Sequence, residues 1–240
     1  HKTRRAAGWK EHATRGHGGG TREGGVEIFN YFCGKLKIIP RDLYRKKLFW
    51  INKRVFDIFL SLVLLPVLLL IYFILLLLNA FLDRGKIFYI QKRMGKNCEF
   101  FFAIKFRTMT HINEITRKYD DPIETNRITP LGKILRKMRI DELPQILNVL
   151  VGDMSLIGPR PDYYVHALAY LENVEGYRER HAIRPGITGL SQIRLGYVET
   201  LEATSKKTSI DNYYIHNCNY IIELKIIFNT ILTIIRCLGK

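Results

Sequence analysis

Ile58-Phe59-Leu60-Ser61-Leu62-Val63-Leu64-Leu65-Pro66-Val67-Leu68-Leu69-Leu70-Ile71-Tyr72-Phe73-Ile74-Leu75-Leu76-Leu77-Leu78 contains no charged residue. As a helix it would reach roughly 30 Å, the thickness of a bilayer's hydrocarbon core, so the sequence predicts a membrane-attached protein. Pro66 sits in mid-run, where a missing N–H and a ring clash kink or break a helix. Both flanks are basic: Arg41, Arg45, Lys46, Lys47, Lys53 and Arg54 precede the run, and Arg84, Lys86, Lys92, Arg93 and Lys96 follow it. A spanning helix normally shows a charge asymmetry, with Lys and Arg kept on the cytoplasmic side. A helix broken at Pro66 that enters and leaves by one face satisfies the symmetry seen here. A kinked spanning helix, for which the length is right, is the alternative.

Outward from this run the chain divides into three: a basic, disordered leader over 1–45, a re-entrant membrane helix over 46–84, and a catalytic domain over 85–240. Residues 1–25 are rich in Gly, Arg and His and lack apolar periodicity, which leaves little to bury. The net charge is +16, and residues 1–48 hold twelve Lys/Arg against four Asp/Glu, so half the excess lies in that stretch. Such a charge points to anionic lipid, phosphorylated substrates or nucleic acid. Nucleic acid is not expected, because it explains neither the apolar run nor the acidic pair described below. Cys33, Cys98, Cys218 and Cys237 are widely spaced and include no C-x-x-C pair, which supports neither a zinc site nor a disulfide framework. His111, His166 and His181 share no ligand spacing.

Beyond the membrane segment, Phe100-Phe101-Phe102-Ala103-Ile104-Lys105-Phe106 reads as a buried strand. Thr129-Pro130 opens a helix, Thr as N-cap and Pro in the first turn, carrying Lys133, Arg136, Lys137 and Arg139 toward Asp141. Residues 162–181 and 199–217 read as helical. Tyr220–Leu238 is either an amphipathic helix lying in the membrane interface or one packed on the core. The expected class is α+β, mostly helical.

Chemistry concentrates at Asp141-Glu142. Adjacent side chains diverge on a regular helix, but Pro144 clashes with the carbonyl of Ile140, so the helix should bend or restart beside the pair. Either these carboxylates pair with Arg136 and Arg139 on a solvated helix, or one of them meets a phosphate held by those cations and attacks it. Gly158-Pro159-Arg160-Pro161 fixes the backbone around one guanidinium, as a rigid turn or as a preset phosphate contact. Lys105-Phe106-Arg107-Thr108-Met109 leaves the strand with alternating bases. Arg184-Pro185-Gly186-Ile187-Thr188-Gly189 is a Gly/Pro loop headed by an arginine, which suits either a turn or a phosphate cradle.

Taken in order, Lys53-Arg54-x-x-Asp57, the Pro-containing apolar run, Lys105–Met109, Thr129-Pro130-Leu131-Gly132, Arg139-Ile140-Asp141-Glu142-Leu143-Pro144-Gln145, Gly152–Pro161 and Arg184–Gln192 resemble a family. It is the bacterial sugar transferases, monotopic polyprenyl-phosphate phosphoglycosyl transferases, and the resemblance covers about residues 46–238. What it implies is a two-step reaction at the cytosolic face of the bacterial inner membrane. Asp141 attacks the sugar-bearing phosphate of a UDP-sugar and expels UMP. Polyprenyl phosphate, expected to be undecaprenyl phosphate, then takes the phosphosugar and becomes the starting lipid of a surface glycan such as exopolysaccharide. The resemblance further implies Mg²⁺ at Asp141 and Glu142, Glu142 as catalytic partner, and Arg136 and Arg160 as phosphate clamps. Lys105, Arg107 and Arg184 follow as further phosphate contacts, and Pro66 as the membrane helix break. A homodimer is compatible with the sequence.

Two departures stand out. Leu65 precedes Pro66 where the family commonly has Ser, and Leu190-Ser191-Gln192-Ile193-Arg194-Leu195-Gly196 replaces an aromatic and Asn-Gly-Arg pattern. Larger relatives carry extra spanning helices and a further domain before the catalytic unit. A non-catalytic protein whose polybasic flanks bind anionic lipid is the rival expectation.

Overall fold

A computed structural model describes residues 46–82, 85–110, 125–196 and 200–236. The expected leader over 1–45, Arg84, His111, Cys33 and Cys237 lie outside the described residues. Helix α1 runs from Lys47 to Leu82 and takes in the whole apolar segment. At 1.5 Å per residue its 36 residues extend roughly 54 Å. The helix continues through Pro66, so the proline is accommodated inside α1 and does not end it. Among the described residues α1 alone is long and apolar enough to cross a membrane.

Polar residues of α1 moor it at both ends. The buried Asp57 carboxylate accepts from Ser155 Oγ at 2.7 Å and from the Leu156 N–H at 3.1 Å. Lys53 Nζ meets Glu223 at 2.6 Å in a buried ion pair, and Arg54 donates to the carbonyls of Val149 and Leu150. Twenty-two residues after Asp57, Asn79 Oδ1 accepts from Arg107 Nη2 at 3.1 Å. Between these ends Leu68 and Leu75 pack with Phe106, Leu135 and Ile146. The opposite face, including Phe59, Leu70, Phe73 and Leu77, is exposed.

The hairpin of β1 (Phe88–Met94) and β2 (Phe100–Phe106) is antiparallel, with Phe88 opposite Phe106 and Met94 opposite Phe100. The predicted strand is therefore present, but only one face is buried. Phe101 and Ala103 are buried while Phe100 and Phe102 are half exposed, as the period of two dictates; the exception is Phe106, which lies on the side of Phe100 and Phe102 but is covered at the strand's end by Leu68 and Leu75 of α1. Helix α2 (Pro130–Lys137) begins as its sequence predicts: Thr129 Oγ1 accepts from the Gly132 N–H at 3.0 Å and Pro130 occupies the first turn.

Helix α3 (Gln145–Val151) docks on β2 through Asn148, whose side chain imitates a neighbouring strand. Its Oδ1 accepts from the Ile104 N–H at 3.0 Å and its Nδ2 donates to the Phe102 carbonyl at 2.8 Å. Strands β3 (Ser155–Ile157) and β4 (Gly186–Thr188) form a parallel pair, with Ser155 opposite Gly186 and Ile157 opposite Thr188. The Gly/Pro stretch after Arg184 is thus a strand and not a loop. A side chain at Gly186 or Gly189 would collide with the backbone of Gly158, so these glycines bring β4 against the Gly-Pro-Arg-Pro segment. Helices α4 (Tyr164–Asn173), α5 (Leu190–Leu195), α6 (Leu201–Asn217) and α7 (Tyr220–Ile235) complete a mostly helical α+β unit. Residues 174–181 of the predicted 162–181 helix instead form turns, ending in a single turn over Glu179–His181.

Candidate active site

Asp141 and Glu142 lie on one short turn, Ile140–Glu142, between α2 and α3. The expected break beside the pair is present, but Arg139 causes it. Its φ of 59° is left-handed, which ends the helical path before Asp141, and Pro144 then opens α3. Both carboxyl residues are buried.

Their surroundings differ. Glu142 is gripped on both oxygens: Arg160 Nη1 donates to Oε2 at 2.9 Å, Arg160 Nη2 donates to Oε1, and Lys105 Nζ donates to Oε1 at 2.7 Å. Arg139 stands 3.8 Å from Oε2. Among the described residues the Asp141 carboxylate has neither a hydrogen bond nor an ion pair. Burial by itself would raise the Glu142 pKa, yet Arg160 and Lys105 outweigh it and hold the group well below the usual carboxylate range. Burial pushes Asp141 up to about 6, helped by the Glu142 charge and opposed by Lys105, Arg160 and Arg136. Two neighbouring carboxylates are thereby set apart, one fixed as an anion and one poised near neutrality.

The structure gathers Asp141, Glu142, Lys105, Arg160 and Arg136 in one place. Arg136 Nε donates to Thr108 Oγ1 at 2.8 Å, and its charge acts on Asp141. Arg93 on β1 belongs to the same electrostatic cluster and had no motif to mark it. Burial lowers its pKa and the neighbouring Arg160 lowers it further. Its alternation with Gln91 on one strand face was the only signal available, and Arg93 Nη2 does donate to Gln91 Oε1. Lys105 is likewise pushed down by burial, against the pull of Glu142.

Two predicted phosphate contacts lie elsewhere. Arg107 Nε donates to the Lys86 carbonyl at 2.6 Å and Nη2 reaches Asn79 on α1, so it serves the mooring of that helix. Arg184 Nε donates to the Gly152 carbonyl at 2.7 Å. It lines a separate cavity of about 590 Å³ with Lys47, Trp50, Arg54, Asp57 and Lys96. Burial and the adjacent Arg54 lower the Arg184 pKa.

The site is thus a buried acidic turn ringed by cations, which suits a phosphorylated substrate and one carboxylate free to react. Similarity to known proteins agrees. The chain is 40% identical over 155 residues to an Aeromonas hydrophila UDP-N-acetylgalactosamine-undecaprenyl-phosphate N-acetylgalactosaminephosphotransferase, covering 65% of this chain and 37% of that protein. It is 38% identical over 151 residues to a Klebsiella pneumoniae UDP-glucose:undecaprenyl-phosphate glucose-1-phosphate transferase, covering 62% and 32%. With the exopolysaccharide production protein PSS of Rhizobium leguminosarum bv. phaseoli the identity is 38% over 191 residues, covering 75% of this chain and 94% of that one. The chain therefore spans about a third of the first two relatives and nearly all of the third. The profile of the bacterial sugar transferases matches residues 48–237, which hold α1, the acidic turn and the cations around it, and the chain belongs to the bacterial sugar transferase family.

Proposed function

We propose that this chain transfers a sugar 1-phosphate from a UDP-sugar to polyprenyl phosphate, through a covalent phosphosugar on Asp141, as a membrane step of exopolysaccharide or related surface-glycan synthesis. The observation that carries the reading is the division of the acidic pair: Glu142 has both oxygens engaged by cations, while Asp141 is buried beside the same cations with no hydrogen bond or ion pair among the described residues. The relatives named for UDP-sugars and undecaprenyl phosphate support the substrate classes.

In the first step an Asp141 oxygen bonds to the sugar-bearing phosphorus, and the bond from that phosphorus to the bridging oxygen breaks. UMP leaves with the electron pair. In the second step a phosphate oxygen of polyprenyl phosphate attacks the same phosphorus, and Asp141 departs as a carboxylate. A covalent intermediate divides one hard displacement into two, and fixed cations stabilise the charge on the equatorial oxygens. Glu142 serves as the anchor that holds Lys105 and Arg160 at the site.

Mg²⁺ fits this centre through Asp141. The ion is commonly bound by one or two carboxylates with substrate phosphates and water completing its shell. Among the described residues no cluster of three or more His, Cys, Asp or Glu is placed to hold a metal, so the substrate would supply most of the ligands. When bound, the ion neutralises charge on the phosphoryl oxygens.

For topology we infer a re-entrant α1 on the cytosolic face of the inner membrane. Asp57 and Asn79, at opposite ends of the apolar run, are tied to the same folded unit, which a helix standing across the bilayer would not allow without drawing that unit into lipid. The exposed stripe Ile221, Leu224, Phe228, Ile231 and Ile235 on α7 suits the same interface.

The test is to incubate the purified protein with a panel of UDP-sugars and Mg²⁺ and to look for a phosphosugar adduct on Asp141 by mass spectrometry. Product without any trapped adduct would sink the two-step reading. Cysteines introduced before residue 54 and after residue 84 should be labelled from one face only; labelling from opposite faces would establish a crossing.

A further inference from the structure

Arg160 owes its position to a segment with few donors of its own. Pro159 and Pro161 lack an N–H, so the Gly-Pro-Arg-Pro backbone cannot be pinned by donating to a ladder at those residues. It is pinned instead through its carbonyls. Those of Pro159, Arg160, Pro161 and Asp162 accept in turn from the Gly186 N–H at 2.9 Å, Arg180 Nη2 at 2.8 Å, Arg93 Nη1 at 2.9 Å and the Met94 N–H at 3.1 Å. At the two central carbonyls the donor is a buried guanidinium.

The Arg180 side chain is wholly inaccessible to solvent. Its Nε donates to Asp211 at 3.0 Å, Nη2 lies 2.8 Å from the same carboxylate, and Nη1 donates to Asp162. Asp162 also accepts from Lys207 Nζ at 2.6 Å and from the Tyr177 hydroxyl at 2.8 Å. Burial alone would destabilise the Asp162 charge, but Lys207 and Arg180 keep it far below the ordinary range. Two cations and two carboxylates balance, so this cluster is rigid and has no net charge to offer a substrate. A well-packed apolar core would stabilise the fold as well or better. What the cluster delivers to the site is one fixed donor beneath Arg160.

We propose that Arg180 is a positioning residue for the transfer reaction: by holding the Arg160 carbonyl it fixes the guanidinium that grips both oxygens of Glu142. This rests on the reading of Arg160 and Glu142 as parts of the substrate-phosphate site. Arg93 holds the next carbonyl but also acts electrostatically within the cluster, so Arg180 is the cleaner of the two to test.

The experiment uses the full chain in lipid nanodiscs, with Arg180→Lys as the main variant. Lysine keeps the charge for Asp162 and Asp211 but loses the fork that reaches the Arg160 carbonyl as well. Misplacing a clamping group by about 1 Å can cost roughly 10²-fold, so kcat for UMP release should fall roughly 10- to 100-fold, with KM for the UDP-sugar moving far less. In ¹³C-carboxyl spectra, assigned with Glu142→Gln, the Glu142 titration should move up toward ordinary carboxylate values as Arg160 loosens. Val174→Ala opens a cavity in the adjoining core and should lower stability without moving either reading. Should Arg180→Lys not fold, Asp211→Asn loosens the same guanidinium and should shift both readings in the same direction.

Unchanged kcat and unchanged Glu142 titration in Arg180→Lys, or in Asp211→Asn if that variant is the one that folds, overturn the proposal. So does an equal loss of kcat in Val174→Ala with Glu142 unmoved in both. If the wild type releases no UMP from any UDP-sugar, the catalytic reading falls, and the Glu142 titration still decides whether Arg180 positions Arg160.

Discussion

Arg160 donates to both carboxylate oxygens of Glu142, with Nη1 to Oε2 at 2.9 Å, and so neutralises the residue next to Asp141, which has no hydrogen bond or ion pair among the described residues. A bidentate guanidinium is the strongest pairing a carboxylate finds in a protein. Its placement on Glu142 is what makes the two acids unequal.

Asp141→Asn should abolish transfer, with a loss of roughly 10³-fold or more in kcat, because a covalent step has no substitute nucleophile. The same substitution should stabilise the fold at pH 7.5. Burial raises the Asp141 pKa from 3.8 to about 6, so ionising it in the folded state costs on the order of 3 kcal/mol, which asparagine avoids. Thermal unfolding of the two proteins side by side measures the difference.

The pH profile should carry the same signature. Asp141 must be ionised to attack, so kcat/KM should fall on the acid side with a midpoint near 6. The stability signs are opposite for the two acids. Asp141 is raised, so the stability from its proton is fully present below its unfolded pKa and is lost as pH rises through about 6. Glu142 is depressed, so its stabilisation is present above its unfolded pKa and is lost as pH falls through its folded value. Unfolding curves of Asp141→Asn and Glu142→Gln from pH 3 to 8 separate the two.

Arg160→Gln should be costly twice over. It leaves buried Glu142 with Lys105 as its main partner, a change that typically costs about 3–5 kcal/mol. It should also lower kcat roughly 10²-fold by removing a phosphate-facing charge. Adding Glu142→Gln should restore much of the stability but not the activity. A double-mutant cycle read by both measurements checks this.

Arg107→Ala and Asp57→Ala should leave the chemistry and disturb the mooring of α1. Asp57→Ala strands the partly buried Leu156 N–H and leaves the Ser155 hydroxyl to the Ile157 carbonyl alone, at a cost of about 1–3 kcal/mol. For Arg107→Ala the KM for the UDP-sugar should stay within about twofold, because its guanidinium is engaged by Asn79 and the Lys86 carbonyl. Protease nicking near residue 79 should increase.

Much of this was legible where the cause is local. Thr129-Pro130 announces a helix start because the cap and the proline act within one turn. The apolar run announces one long apolar helix by composition alone. The inequality of Asp141 and Glu142 was not legible, because it is imposed by Lys105 and Arg160, which lie 37 and 18 residues from Glu142. Gly186–Thr188 read as a loop because its strand partner begins at Ser155, and glycines there serve close approach to Gly158. Arg107 and Arg184 sit in motifs rich in charge, yet each is turned to a carbonyl outside the acidic turn, a direction that spacing does not encode. Pro144 drew attention to a break that Arg139 makes with a left-handed backbone.

The buried pair of Lys53 and Glu223 joins positions 170 residues apart. During synthesis the lysine emerges first and waits for its acid; at about 5–20 residues per second the interval is roughly 10–30 s. Throughout that time its ammonium group must stay solvated, since burying it alone would be prohibitive. The nascent chain therefore carries an open charge that the finished protein later hides, and ribosomes stalled before the codon for Glu223 should display Lys53 still open to amine-reactive reagents.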